Sequence, residues 1–534
     1  MSGKKFRDLW KFSEARDVRP LDHFVMLLLV SGGIASTYYL GEWWFRKDHV
    51  ASLPLFVILS TFFWYAVWRN FLIWINYLRI SKPDHVPAPE KGLRVAVFTT
   101  SAPGEPLSMF EKTLSALSRV TYPHKTYLLD STKDPSFRAL AEQHGVVWLE
   151  LNDLPGAKAG KINEALNRTD EDFILILDPD HIVFPNFLDQ TLGFFKDPDV
   201  GFVQVSQGYY NQYRSFVAAA AAEQTYNFYG PTQMGLYGYG TAVAIGANCT
   251  FRRTALESIG GHAVGLAEDL LTSIRLHAKG WRSVYNPVIV SRGLVPEDFG
   301  SFCKQQLKWA RGVFEILFTE LPARLGRLTF WQKLSYLGIG TYYLTGAITL
   351  FFILVPFIYF FTGTMPAKMN FAEFIVNGSF LVIMASLIYF YAQRFLCHPK
   401  TERGFHWRSM IIKFSCWPVY FLGFVLGVLD YKLPYIPTAK KAVRGKISPF
   451  SRPLIIYCVI FIITVIIVII NRRYFVPESE LIFTAEKTWG MIGFSFLAFL
   501  LSIVGIMAAW ESLALKEEEP WQNVALDKIE IPKK

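Results

Sequence analysis

Two hydrophobic rhythms divide the chain. Long apolar runs occupy residues 21–43, 52–78, 335–362, 371–396, 453–471 and 488–510, the first two rich in Trp and Tyr at their ends. Each approaches the ~20 residues that a helix needs to cross a bilayer, so six spans are expected. Within residues 92–300 the runs shorten to strand length: Leu93–Thr99, Tyr127–Leu129, Val146–Leu151, Phe173–Leu177 and Gly201–Val205, separated by helical patterns. This alternation predicts βαβ units on a mostly parallel sheet. Pro83, Pro87 and Pro89 mark the linker that enters it.

A seventh apolar run, Ser409–Leu429, is long enough to span by hydropathy alone, but its flanks argue otherwise. Arg394, Lys400, Arg403 and Arg408 precede it, and Lys432, Lys440, Lys441, Arg444 and Lys446 follow it. The positive-inside rule puts both flanks in the cytoplasm, so the run should lie along the interface or re-enter. Lys4, Lys5, Arg7, Lys11, Arg16 and Arg19 ahead of the first span place the N-terminus, and with it the α/β domain, on the same side. The expected division is a cytoplasmic N-terminus at 1–20, two spans in 21–80, the α/β domain at 92–300, and interfacial helices at 300–333. Two further spans follow in 335–396, an interfacial helix and loop in 397–451, two spans in 452–511, and a cytoplasmic tail at 512–534 too short for another domain.

Composition fits that picture. The 534 residues are 52% hydrophobic and 16% aromatic, which points to a membrane protein rather than several soluble domains. Lys plus Arg number 54 against 44 acidic residues, and the excess clusters beside hydrophobic runs, at 394–413 and 432–452. Membrane lipid therefore explains the charge better than nucleic acid, and no nucleic-acid partner is expected. The five cysteines, at 249, 303, 397, 416 and 458, show neither a CxxC pair nor zinc spacing and read as packing thiols. Met1–Pro20 is charged and lacks a small-residue cleavage site, so it does not read as a signal peptide.

The candidate chemistry gathers at one strand end. Phe173–Leu177 runs into Asp178-Pro-Asp-His181, and alternate residues of an extended chain point the same way, so Asp178 and Asp180 can face one divalent cation. Mg²⁺ or Mn²⁺ favours such oxygen ligands and shares them with substrate phosphates, which implies a metal-bound nucleotide. Asp130 ends the second strand at the same sheet edge, where open α/β sheets bind ligands; as a turn cap it would look the same. Lys158-Ala-Gly-Lys161 combines a glycine turn with a helix start and sets Lys158 where a pyrophosphate needs positive charge. Glu268 and Asp269 open a helical pattern, suited to a catalytic base or simply to the helix dipole. Gln305-Gln-Leu-Lys-Trp-Ala-Arg-Gly312 puts Gln305, Gln306, Lys308, Trp309 and Arg311 within about two turns ahead of a span. Trp309 offers a stacking face for a sugar, and Lys308 and Arg311 offer charge for a departing diphosphate.

In this order the motifs resemble the family 2 processive glycosyltransferases, the group of cellulose, chitin and hyaluronan synthases, over nearly the whole chain. The resemblance implies a GT-A-type cytoplasmic domain inserted between transmembrane helices. Asp130 then matches the nucleotide-binding aspartate, Asp178 and Asp180 the metal motif, Glu268-Asp269 the motif whose aspartate is the general base, and Gln305–Trp309 the Gln-x-x-Arg-Trp signature. Ala267 and Lys308 depart from it, replacing a hydroxyl residue and an arginine. Tyr435-Ile-Pro-Thr-Ala-Lys440 looks like the gating loop of bacterial cellulose synthases, which implies nucleotide contacts for Thr438 and Lys440 and makes that branch the nearest relative. The acceptor-side Phe-Phe-Cys-Gly-Ser motif is replaced by Ile245–Cys249, and no PilZ domain is visible. The implied activity is an inverting synthase in the inner membrane that polymerises a UDP-sugar, most simply UDP-glucose, into a β-linked polysaccharide and passes it through its own channel. Transfer of one sugar to a lipid acceptor, a chitin- or hyaluronan-type synthase, and a non-catalytic channel are the competing readings. Partners follow: the donor, the growing polysaccharide and membrane lipids, with a homo-oligomer or accessory secretion proteins left open.

Overall fold

Phe173–Leu177, buried at every position, lies in the middle of a nine-stranded sheet. The computed structural model describes residues 8–531 apart from 153, 370, 435–439, 444, 472–473, 475–484 and 516–517. In chain order the strands are β1 (Ser13–Glu14), β2 (Val95–Ser101), β3 (Lys125–Asp130), β4 (Val147–Glu150), β5 (Phe173–Leu177), β6 (Ile182–Val183), β7 (Val200–Tyr209), β8 (Cys249–Arg252) and β9 (Arg282–Gly293). Their order in the sheet is β1-β9-β7-β8-β5-β2-β3-β4, with β6 on β9. β2, β3, β4, β5, β7 and β9 share one direction, and β1, β6 and β8 oppose it. Near-continuous apolar strands of this kind need cover on both faces, and helices supply it.

The five strands expected from the pattern are present, with ends shifted by up to four residues. β1, β6, β8 and β9 are additions. β8 is only four residues long, and Asn286-Pro287 interrupts the apolar pattern of β9. The sheet accommodates that proline at a bulge: Val205 pairs with Asn286 and the next residue, Ser206, with Ile289. The freed Pro287 carbonyl accepts the Ala15 N–H at 2.9 Å, which brings β1 onto the edge.

Among the described residues six helices are long and apolar enough to cross a membrane: Pro20–Trp44, Leu53–Leu78, Phe330–Thr362, Ala372–Phe395, Pro449–Ile470 and Thr488–Glu511. The run after residue 406 forms two helices, Trp407–Ser415 and Trp417–Val428, bent by 50° at Cys416. Pro418 sits in the first turn of the second, where its missing N–H is harmless, but it cannot continue the first helix. Helix Trp417–Val428 lies close on helix Phe299–Glu315: a Cβ at Gly423 would stand 2.7 Å from Ala310 Cβ, and one at Gly427 2.7 Å from Phe314 Cβ. All five cysteines are buried and free of disulfides.

Described residues near each terminus pack on the α/β domain. Leu9 and Trp10 join its core together with Trp521 and Val524, and the Glu530 N–H donates to the Trp10 carbonyl at 2.9 Å. The segment after the last span, polar in overall composition, is thus held by two apolar side chains.

Candidate active site

The carboxyl ends of β2, β3 and β5 form one edge, where Ser101 pairs with Asp130 and Leu177 leads into Asp178. Lys158, the first residue of helix Lys158–Arg168, donates to the Asp178 carboxylate and to the Gly246 carbonyl at 2.5 Å. Asp180 is buried; its Oδ2 accepts the Leu294 N–H at 2.9 Å, its Oδ1 meets Lys440 Nζ at 3.0 Å, and His181 Nδ1 stands 3.6 Å away. Burial alone would raise both carboxyls, but Lys158 beside Asp178 and Lys440 beside Asp180 outweigh it and hold them below the usual carboxylate range. Lys440 responds in kind: against the desolvation that would lower it, Asp180, Asp178 and Glu105 hold its ammonium well above the ordinary value.

Oxygen and nitrogen atoms of Asp178, Asp180 and His181 lie within 4.8 Å of one another, close enough to share one ion. Two carboxylates suit Mg²⁺ or Mn²⁺, so the donor set fits the cation that the motif implies.

The acid pair opens helix Glu268–Ala278. Asp269 Oδ1 accepts the Leu270 N–H at 2.8 Å, and a Cβ at Gly246 would lie 3.4 Å from Asp269 Oδ2. Gly246 therefore sits between the Lys158–Asp178 pair and Asp269. Burial, then the neighbouring Asp269 charge, pushes Glu268 up to about 7, and burial raises Asp269 as well. The Gln305–Trp309 motif lies on helix Phe299–Glu315, whose Asp298 cap accepts the Ser301 N–H at 2.9 Å. Gln306 Oε1 accepts from Tyr420 Oη at 3.1 Å. Burial lowers Lys308, with Glu268 and Asp178 opposing. Farther along, Gly312 presses on the loop before the acid pair: a Cβ there would meet Ala267 N at 2.7 Å.

One cavity of about 620 Å³ joins these groups. Lys158, Asp178, Asp180, Glu268, Asp269 and Lys440 line one end, with Gln305, Gln306, Lys308 and Trp309 beside them. From there it runs among membrane-type helices past Tyr342, Tyr343, Tyr389 and Arg69. Trp417 is not among its lining residues.

Two expected positions fall outside it. Arg311, expected beside a diphosphate, does not line the cavity: its guanidinium is buried against the Tyr431 carbonyl (2.8 Å), Glu315 (3.0 Å) and Asp430 (3.1 Å), so it anchors the chain leaving helix Trp417–Val428. Sharing a helix with Lys308 did not bring it to the same surface, because two carboxylates claim it elsewhere. Asp130 stands at the expected edge but does not line the cavity; it accepts from Ser101 Oγ (2.5 Å), Thr132 N (2.9 Å) and Trp148 Nε1 (2.9 Å). Thr438 lies outside the described residues.

Two charged groups at the edge escaped the pattern. Lys161, buried, donates to the Ser101 carbonyl at 2.5 Å, and was visible only as the second lysine of the Lys158 motif. Glu105, whose carboxylate accepts the Ala102 N–H at 2.9 Å, feels Lys440 and Asp180; a single acid in a Pro-Gly loop gives no periodic signal.

An α/β domain set among membrane-type helices, with paired acids and lysines along its strand ends, defines the class as a membrane-associated transferase fold with an acidic, lysine-bearing site. The chain belongs to glycosyl transferase family group 2, whose family model matches residues 173–471. Within it the chain is cellulose synthase-like. Cellulose synthase 1 of Komagataeibacter xylinus is 27% identical over 361 residues, 65% of this chain and 23% of that protein. The UDP-forming cellulose synthase catalytic subunit of Xanthomonas axonopodis pv. citri is 30% identical over 307 residues, 55% of this chain and 41% of that one. The chain thus spans less than half the length of these relatives. A mannosyltransferase from Pyrobaculum calidifontis, solved with GDP-Man and Mn²⁺, superposes with a TM-score of 0.50 at 16% identity, over 71% of this chain and 100% of that one. That likeness is one of fold.

Proposed function

We propose that the chain is a membrane-embedded, inverting hexosyltransferase that polymerises UDP-glucose into a β-linked glucan and guides the product between its own membrane helices, with the α/β domain on the cytoplasmic side. The carrying observation is the single cavity that links the Asp178–Asp180 edge to the acid pair, to Trp309 and onward to the tyrosines among the membrane helices. A soluble transferase needs no such continuation.

In this reading Asp269 removes the proton of the acceptor hydroxyl as its oxygen bonds to the anomeric carbon, and the bond from that carbon to the UDP oxygen breaks. Attack from the opposite face turns an α-linked donor into a β-linked product. Lys158, Lys308 and Lys440 meet the charge of the departing diphosphate, while Gln305, Gln306 and Trp309 orient the acceptor end. Asp178 and Asp180, with His181 beside them, would hold Mg²⁺ or Mn²⁺, which supplies further neutralisation of the diphosphate. Glu268 holds a proton longer than an exposed acid and keeps the pair from carrying two charges at low pH.

The test is incorporation of radiolabelled sugar from each common UDP-sugar by purified protein in nanodiscs, followed by linkage-specific glycosidase digestion. High-molecular-weight product from UDP-glucose that a β-glucanase degrades is expected. A product extracted wholly into organic solvent would replace the polymerase reading with a single-sugar transfer to lipid.

A further inference from the structure

The stretch that carries Lys440 is gripped by the C-terminal segment. Lys441 Nζ lies 2.5 Å from Glu519 Oε1, and the other oxygen of that carboxylate accepts from Ser108 Oγ at 3.0 Å and from Gln522 Nε2 at 2.8 Å. Trp521, wholly buried, donates through Nε1 to the same Ser108 hydroxyl at 3.0 Å. Lys441 Nζ also stands 5.8 Å from the Trp521 ring centroid. Two more contacts fix the following residues: the Val443 N–H donates to Asp298 Oδ2 at 3.0 Å, and Ser512 Oγ donates to the Lys446 carbonyl at 3.0 Å. Lys440 itself reaches Asp180.

Ser108 is in the first turn of helix Leu107–Leu117, three residues after Glu105. Glu519 therefore ties together the two segments that bring Glu105 and Lys440 to the sheet edge. Arg214 holds the neighbouring Glu518 at 3.1 Å, and Glu530 bonds the backbone of Trp10 and Phe12, so the segment is anchored at both ends of its course.

We infer that Glu519 is a positioning residue for the nucleotide site: through Lys441 it holds Lys440 where the diphosphate arrives, so that the C-terminal segment sets donor affinity. This rests on the proposed role of Lys440 at the departing diphosphate. Free energy spent on ordering a lysine after the donor binds would weaken binding; here that ordering is done beforehand by contacts remote from the substrate.

The experiment measures UDP affinity by calorimetry in nanodiscs with Mn²⁺, together with KM, kcat and Tm, for E519Q, E519K, K441A, E519Q/K441A and K440A. E519Q should weaken UDP binding about two- to fivefold, the range of a partly exposed ion pair, and E519K more, with Tm nearly unchanged. E519Q/K441A should be no weaker than K441A alone, because both changes break one link. Unchanged UDP affinity in E519K, or a double variant as weak as the product of the singles, would overturn the inference. If K440A leaves UDP affinity unaltered, the role of Lys440 fails first and the positioning of it becomes moot.

Discussion

The contact between Gly312 and the loop before the acid pair makes a quantitative test of how the site is held. A Cβ at Gly312 would lie 2.7 Å from Ala267 N, 2.9 Å from the Leu266 carbonyl carbon and 2.9 Å from Leu266 Cβ. Two of these are backbone atoms, so no side-chain rotation relieves the clash. Ordinary contact begins near 3.4 Å, so the G312A variant must part helix Phe299–Glu315 from that loop by 3.4 − 2.7 = 0.7 Å. The loop leads directly into Glu268 and Asp269, and the helix carries Gln305, Lys308 and Trp309. The proposed base and the proposed acceptor platform would then be separated by most of an ångström. Misplacement on the order of 1 Å can cost about 100-fold in rate, so kcat should fall roughly 10- to 100-fold with UDP affinity little changed. Overpacking should also cost on the order of 1–3 kcal/mol of stability. G427A is the matched control: it presses on Phe314 Cβ at the same 2.7 Å, but on the face of the helix turned from the acid pair. It should lower Tm comparably and spare kcat. Full kcat in a G312A protein of lowered Tm would refute the idea that this contact registers the two halves of the site.

Other expectations follow from the same geometry. D269N should abolish transfer while UDP still binds in calorimetry, since the carboxamide keeps the shape and loses the base. The transfer rate should fall at acid pH where Asp269, its carboxyl raised by burial, takes up its proton, and E268Q, which keeps the neighbour neutral as Glu268 already is there, should leave that acid limb in place. The sign for stability is the reverse: with the folded value raised from 4.5 to about 7, Glu268 favours the folded state at acid pH, and that contribution is lost as pH rises through about 7. Chelation with EDTA should stop transfer, with Mn²⁺ or Mg²⁺ restoring it in the wild-type protein but not in D180N. R311A should lower Tm and speed proteolysis after residue 430, because Asp430 and the Tyr431 carbonyl lose their anchor, whereas a nucleotide role would predict lost UDP affinity at unchanged Tm.

What could be read from the sequence was what repeats. Phe173–Leu177 is legible as a strand because five consecutive buried apolar residues suit a sheet covered on both faces. The membrane-type helices announce themselves by sheer length. The sheet's far half is obscure for physical reasons: β8 has four residues, too few for periodicity, and β9 carries a proline that only a bulge tolerates. Within the site, residue types in motifs point to a neighbourhood but not to a direction. Lys308 and Arg311 share a helix, yet Glu315, four residues beyond Arg311, and Asp430, 119 residues away, draw the guanidinium elsewhere. Glu105 is a single acid and Glu519 the last of three consecutive glutamates, both in irregular segments, and only the folded chain shows that both reach the neighbourhood of Lys440.

The reversed direction of β8 alters how force travels. Since β8 opposes its neighbours, the residues leading into it, Ile245–Asn248, arrive at the edge that carries Asp178, and Gly246 there receives Lys158. Those residues come from the short helix Gln233–Gly238, which is wedged on the end of the second membrane helix: Cβ atoms at Gly235 and Gly238 would stand 2.2 Å from the Asn76 carbonyl oxygen and 1.8 Å from that of Arg79. Backbone bears on backbone at that joint, with no side chain to act as a cushion. A tilt of the second membrane-type helix would thus meet fewer than ten residues before Gly246, whose carbonyl accepts from the lysine on Asp178.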